Sequence, residues 1–202
     1  MSIWRHGVLG AVCGAMLLGA TTLTNAALAA APQNTAVVYY TLLHNRLEGD
    51  ENGVGKTQRV AMAVAEQTGS TLKEIKNTTK YPATYGETID IASDELDNEV
   101  KLPMAAPVDV TAYQEIYVGM PCWWSSYPRV FATWFESQDF SGKTIYVFVT
   151  DGGSRYGRII QDMQEALPDS KVVPFFEIND STLDDLTDEE LSQEVKEALD
   201  AI

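Results

Sequence analysis

Three stretches of this chain combine residue types and spacing that could act on a ligand. The first is Thr41 followed, after a polar glycine-bearing segment, by Gly55-Lys56-Thr57. Backbone N–H groups at a helix start, together with the helix dipole, favour a phosphate, and Lys56, Thr57 and Thr41 would add donors. A nucleotide P-loop is excluded by one residue, since Asp50 stands where that motif requires glycine. The same residues suit a plain turn and helix cap equally well. The second stretch, Pro121-Cys122-Trp123-Trp124-Ser125-Ser126-Tyr127-Pro128, puts three large rings into five residues. Successive side chains of a loop point apart, so one tryptophan is expected to pack inward and the other to lie against a planar ligand. A pair of core tryptophans is the competing reading. The third stretch, Thr150-Asp151-Gly152-Gly153-Ser154 followed by Tyr156, lets backbone approach a ligand closely, with N–H groups and Ser154 for a heterocycle's edge and Tyr156 for its second face. Taken alone, Gly152-Gly153 is as readily a tight turn.

Other chemistries lack their parts. Beyond the first six residues His44 is the single histidine, which excludes a histidine-rich metal cluster or a triad built on several histidines, and it is expected to face solvent. Cys122 has no histidine beside it in sequence and reads as a buried thiol. Asp50, Glu51 and Asn52 lack the flanking pattern of a calcium loop and read as a solvated turn. Neither catalytic residues nor a metal site is assigned.

Placing three such loops at one mouth requires strands that end together. Residues 35–41 form a β-branched and aromatic run, the first strand. Residues 42–54 read as a loop. From 55 a helix buries Val60, Ala61, Val64 and Ala65 and stops at Gly69. A second, edge strand is expected at 71–76, a weak helix at 89–100, and a third strand at 115–119. A helix over 128–137 turns Val130, Phe131, Trp134 and Phe135 inward. Strand 144–150, helix 158–167, strand 171–176 and helix 188–201 complete the alternation. Strands alternating with helices predict an α/β fold, a three-layer α/β/α sandwich on a five-stranded parallel sheet of order 2-1-3-4-5, with a crevice between strands 1 and 3.

Residues 1–29, with Arg5 before an apolar run and an Ala27-Leu28-Ala29 site, read as a secretory signal peptide cut before Ala30, which implies an exported protein, periplasmic or extracellular. The apolar core is shorter than the ~20 residues of a spanning helix, so no stable membrane span is expected after cleavage. Residues 30–202 then form one domain. Without Arg5 it carries 13 basic and 29 acidic side chains, a net charge of −16. That field excludes nucleic acid and anionic membranes as partners and would steer a basic protein. With Cys122 the single cysteine of that domain, no intramolecular disulfide holds it together.

Residues 37–68 with Gly55-Lys56-Thr57, then Tyr81-Pro82, Gly119-Met120-Pro121-Cys122-Trp123-Trp124, Pro128, Phe140-Ser141-Gly142-Lys143 and Thr150-Asp151-Gly152-Gly153-Ser154, resemble the flavodoxin-like proteins, above all the bacterial branch with a Pro-x-Trp-Trp loop and a Gly-Gly-Ser loop. The resemblance implies FMN as cofactor. Thr41, Gly55, Lys56 and Thr57 would hold its phosphate. Pro121, Cys122, Trp123, Trp124 and Ser125 would border the ring, with Asp151, Gly152, Gly153, Ser154 and Tyr156 on its other side. The family's phosphate loop is compact, whereas here about a dozen residues are inserted and lysine replaces asparagine. Asp50 and Glu51 would oppose a phosphate unless Arg46 and Lys56 compensate. The implied role is electron transfer with a redox partner protein bearing a basic docking patch. An FMN-dependent NAD(P)H:quinone-type oxidoreductase and a flavin-free binding module of the same fold are the alternatives.

Overall fold

The computed structural model describes residues 34–202, and the expected signal segment lies outside them. Five strands, β1 (Thr35–Tyr39), β2 (Thr71–Glu74), β3 (Glu115–Pro121), β4 (Thr144–Asp151) and β5 (Lys171–Asn179), pair in parallel in the order β2-β1-β3-β4-β5. This is the expected sheet. Its inner strands are apolar on both faces because helices cover both, as a parallel sheet demands.

The strand alternation sorts the core into two clusters. Ala36 and Val38 of β1, Ile116, Val118 and Met120 of β3, and Ile145, Val147 and Val149 of β4 face one side, where Val130, Phe131 and Trp134 of α3 (Val130–Glu136) and Ile159 and Met163 of α4 (Ile159–Ala166) meet them. On the opposite side, Val37, Tyr39, Tyr117 and Phe148 meet α1 (Lys56–Thr68) and α6 (Asp188–Leu199) through Val60, Val64, Leu191 and Val195. Arg59 fastens that layer. Its guanidinium donates to the carbonyls of Leu183 and Leu186, both at 2.6 Å, and to Asp188 at 2.7 Å. Gly119 of β3 sits opposite Phe148 of β4, and the space a side chain would take is filled by the Phe148 ring.

The boundaries differ from the sequence reading at the sites that matter. β3, β4 and β5 each run further than expected, so the loops after β3 and β4 begin at Cys122 and Gly152 and β5 ends at Asn179. Helix α2 spans Tyr85–Asp97 rather than 89–100, because Thr84 caps it by accepting from the Glu87 N–H at 3.4 Å. A short helix α5 (Asp180–Asp185), capped by Asn179, follows β5 directly and was not anticipated. The register of β5 slips by one residue between Pro174 and Phe176, a bulge on the outer strand. Among the described residues no helix is long and apolar enough to cross a membrane.

Candidate ligand cleft

The carboxyl ends of β1, β3 and β4 open into a cleft with two contiguous lobes of about 430 and 380 Å³. Leu42, Tyr85, Cys122, Trp123 and Gly152 line both, which makes them one space. The topology dictates this position, since the chain crosses to opposite faces of the sheet on leaving β1 and β3.

The first lobe is built at the start of α1. Thr41, Gly55, Lys56 and Thr57 all line it. The first N–H groups of α1 have no partner within the helix, and Lys56 and Thr57, which carry two of them, line this space. Gly55 is required by contact rather than by φ: a Cβ there would fall on the Thr41 hydroxyl. Thr57 and Thr150 share a hydrogen bond of 2.8 Å between buried hydroxyls, which locks the helix start to the end of β4. The Lys56 ammonium turns aside, donating to Asp184 at 2.7 Å and to the Asp180 carbonyl at 3.1 Å. Asp151 and Asp180 also line this lobe. Burial pushes the Asp180 carboxyl above its ordinary range, Lys56 opposing.

The second lobe lies between α2 and the aromatic loop. Trp123 and Ser126 bond each other's backbone at 2.9 and 2.8 Å, enclosing a two-residue turn in which Trp124 (φ 49°) and Ser125 (φ 64°) are both left-handed. This is the turn type that ordinarily takes Asn-Gly, and holding two bulkier residues in it costs about 1–2 kcal/mol each. The turn separates the tryptophans as expected. Trp123 goes inward, its ring edge-on to Tyr40 at 5.7 Å and Tyr81 at 5.1 Å. Trp124 stays outside, 54% exposed, with its indole N–H on the Ile89 carbonyl at 2.9 Å. The turn is tied to the glycine loop where the Arg158 N–H reaches the Ser125 carbonyl at 2.6 Å.

Asp151 shapes that glycine loop. It is buried, and its Oδ1 accepts from the Gly153 and Arg155 N–H groups at 2.5 and 2.9 Å. Gly152 lines both lobes with nothing within 4 Å of where its Cβ would stand, and Ser154 lines the second. Gly153 and Tyr156 line neither lobe. Tyr156 is partly buried and packs on the core, so it offers the cleft no second face.

Several side chains sit otherwise than expected. His44 does not face solvent. It is buried, with Nδ1 2.7 Å from Glu74 and Nε2 2.9 Å from the Gly53 carbonyl. Its partner on β2 is thirty positions away, which nothing local could announce. Asp50 and Glu51 do not reach the cleft: Asp50 receives the Asn52 N–H, and Glu51 pairs with Lys76 at 2.8 Å and Lys80 at 3.5 Å. Among the described residues no cluster of metal-binding side chains occurs. Leu42, Tyr85, Ile89 and Asp180 line the cleft without having been assigned to it, and Arg46, named only as a counter-charge to Asp50 and Glu51, lines it too. Asp180 carried a signal, since it stands at the carboxyl end of a strand.

Cys122 is only half-buried and lines both lobes. Burial, reinforced by the Asp151 charge, pushes its thiol up to about 11. Alkylation at pH 8 is therefore expected to run roughly 100-fold slower than for an exposed cysteine and to accelerate as pH approaches 11. Rapid labelling at pH 8, followed by mass spectrometry, would contradict this environment.

Beneath Trp123 the Tyr81 hydroxyl donates to buried Glu95 at 2.7 Å. Burial pushes the Glu95 carboxyl up, with the Tyr81 bond and the Arg129 charge opposing. A folded-state value above the unfolded one means a contribution present below the unfolded value and lost as pH rises through the folded one. Once ionised, the group is thus a cost. Glu95→Gln keeps an acceptor for Tyr81 and is expected to raise the unfolding free energy at pH 7, with the gain lost once the pH falls below the ordinary carboxylate range of about 4. Urea unfolding at both pH values measures it.

The cleft can therefore take an elongated ligand with an anionic end at α1 and a flat end between Trp124, α2 and Gly152. A family model described as flavodoxin matches residues 51–196. No curated protein matches the chain significantly. Among solved structures, a candidate flavoprotein of Bacteroides uniformis is 26% identical with a TM-score of 0.64, over 80% of this chain and 97% of that one. One from Bacteroides eggerthii is 21% identical with a TM-score of 0.64, over 83% and 96%. A flavoprotein of Lactobacillus acidophilus in complex with FMN is 19% identical with a TM-score of 0.55, over 75% and 95%. With the five-stranded order 2-1-3-4-5 and a family match over most of its length, the chain belongs to the flavodoxin family.

Proposed function

We propose that this protein is an exported, FMN-binding electron carrier. The observation that carries the reading is the continuous cleft, which joins the start of α1 at Gly55, Lys56 and Thr57 to a lobe walled by Trp124. Phosphate binding needs the first, and a tricyclic ring needs the second. Thr41, Gly55 and Thr57 would hold the phosphate, and Pro121, Cys122, Trp124, Gly152 and Ser154 would border the ring. Lys56 serves the phosphate less directly, as its ammonium neutralises the acids of α5. The related Lactobacillus acidophilus protein, whose structure contains FMN, supports the same cofactor.

When bound, FMN supplies reversible electron transfer, and the protein contributes position, exclusion of water and field. The chain's net charge of −15 lowers the reduction potential of a group held in it, which suits a donor. Helix α2, a wall of the cleft, carries four exposed acids, Glu87, Asp90, Asp94 and Asp97, and no base, so the partner would dock through a basic face. Export rests on the composition of residues 1–29.

An absorbance spectrum of the purified protein, followed by titration of the apoprotein with FMN, tests the reading. A flavin spectrum, or saturable uptake of one FMN per chain, is expected. Protein that is colourless and takes up no FMN sinks the proposal. N-terminal mass analysis of the envelope fraction tests export, with a chain beginning at Ala30 expected.

A further inference from the structure

The segment between β1 and α1 is longer than a phosphate turn needs, yet its inner part is firmly held. A 3-10 turn, Leu43–Asn45, buries His44 and Asn45. Asn45 is fully enclosed, donating to the Thr41 carbonyl at 2.8 Å and accepting the Asn77 N–H at 3.0 Å. His44 is clasped between Glu74 and Gly53, and the Lys80 ammonium donates to its carbonyl. Arg46 follows at once, its backbone bracketed by two bonds to Tyr81: Tyr81 N–H to the Asn45 carbonyl and Leu47 N–H to the Tyr81 carbonyl, both 2.8 Å.

Those anchors set the Arg46 side chain in the wall of the α1 lobe. One end is tethered, with Nη1 donating to the Ala83 carbonyl at 3.0 Å. The Nε–H is buried and has no acceptor, an unusual state for a strong donor. Among the described residues no carboxylate pairs with Arg46, whereas Lys56, the other cation of this lobe, is committed to Asp184 and Asp180. Asp151 and Asp180 face the same space. Without Arg46 the charges lining the lobe would sum to negative, and a dianionic phosphate would be repelled. A guanidinium presents a planar fork of donors suited to phosphate oxygens.

We propose that Arg46 is the residue that recognises the phosphate, so that the inserted segment makes the cleft select phosphorylated over unphosphorylated flavin. The proposal rests on the flavin reading above. The experiment titrates wild-type and Arg46→Gln apoproteins with FMN and with riboflavin, at low and raised salt, by flavin fluorescence. The substitution is expected to weaken FMN about 10- to 100-fold, as for loss of hydrogen bonds to a charged group. Riboflavin affinity should stay within about twofold, and the salt dependence of FMN binding should flatten. Riboflavin is the internal control for folding, and Arg46→Lys, which keeps charge but loses the fork, should fall between. Wild-type protein that binds neither flavin overturns the flavin reading and this inference with it. Wild-type protein that binds FMN, with Arg46→Gln losing nothing or weakening both flavins equally, overturns the inference alone.

Discussion

Gly119→Ala is expected to lower the unfolding free energy by roughly 3 kcal/mol, the upper end of overpacking penalties, with a matching fall in the urea midpoint. The site is the middle strand of the sheet, where every neighbour is fixed. A methyl group at this position would occupy space taken by the Phe148 ring, which is fully buried and lies on the adjacent strand. The ring has little room to swing away, because it is fully buried in its core cluster and Phe176 stands beside it in register on β5. Phe148→Leu in the same chain should recover part of the loss by removing ring atoms, and the two changes should be strongly non-additive. A single variant that unfolds at the wild-type midpoint would show that β3 and β4 do not pair as described.

Gly55→Ala should have the largest effect on the cleft while sparing most of the fold. The backbone at Gly55 is extended and suits any residue, so the penalty is one of contact alone. The added methyl falls on the Thr41 hydroxyl, and Thr41 is buried and β-branched, with little freedom to rotate away. The helix start must shift, carrying the N–H groups of Lys56 and Thr57 with it. Loss of about 100-fold or more in FMN affinity is expected, with the urea midpoint changed far less than for Gly119→Ala. Thr41→Ala combined with Gly55→Ala should regain part of the affinity, since the clash is gone although a donor is lost. Full FMN affinity in the single variant would mean that the phosphate does not lie at this turn.

The sheet order was legible because each strand carries its own apolar run and each helix its own periodic face, as in Val60, Val64, Leu191 and Val195. The separation of Trp123 from Trp124 could be argued from chain geometry, although the left-handed turn that achieves it could not, because neither Trp124 nor Ser125 advertises positive φ. The first helix was placed by Gly55-Lys56-Thr57, yet the direction of the Lys56 ammonium depended on an α5 that begins 124 residues later. His44 failed for the same reason: its environment is made by Glu74, and sequence patterns speak only of near neighbours. Arg46 is set by a bridge to Tyr81, and a polar segment gives no hint of such long-range pairing. Local physics thus named the loops, while the charges facing the ligand were fixed by contacts distant in sequence.

The outer strands have a consequence for behaviour at high concentration. On one border of the sheet β5 carries Pro174, which has no N–H to offer, and beside it the bulge that twists the strand out of line. On the other border β2 is only four residues long and includes Lys73 and Glu74. Neither border is a flat template on which a neighbouring molecule could readily add a strand, which works against edge-to-edge association when the protein is crowded.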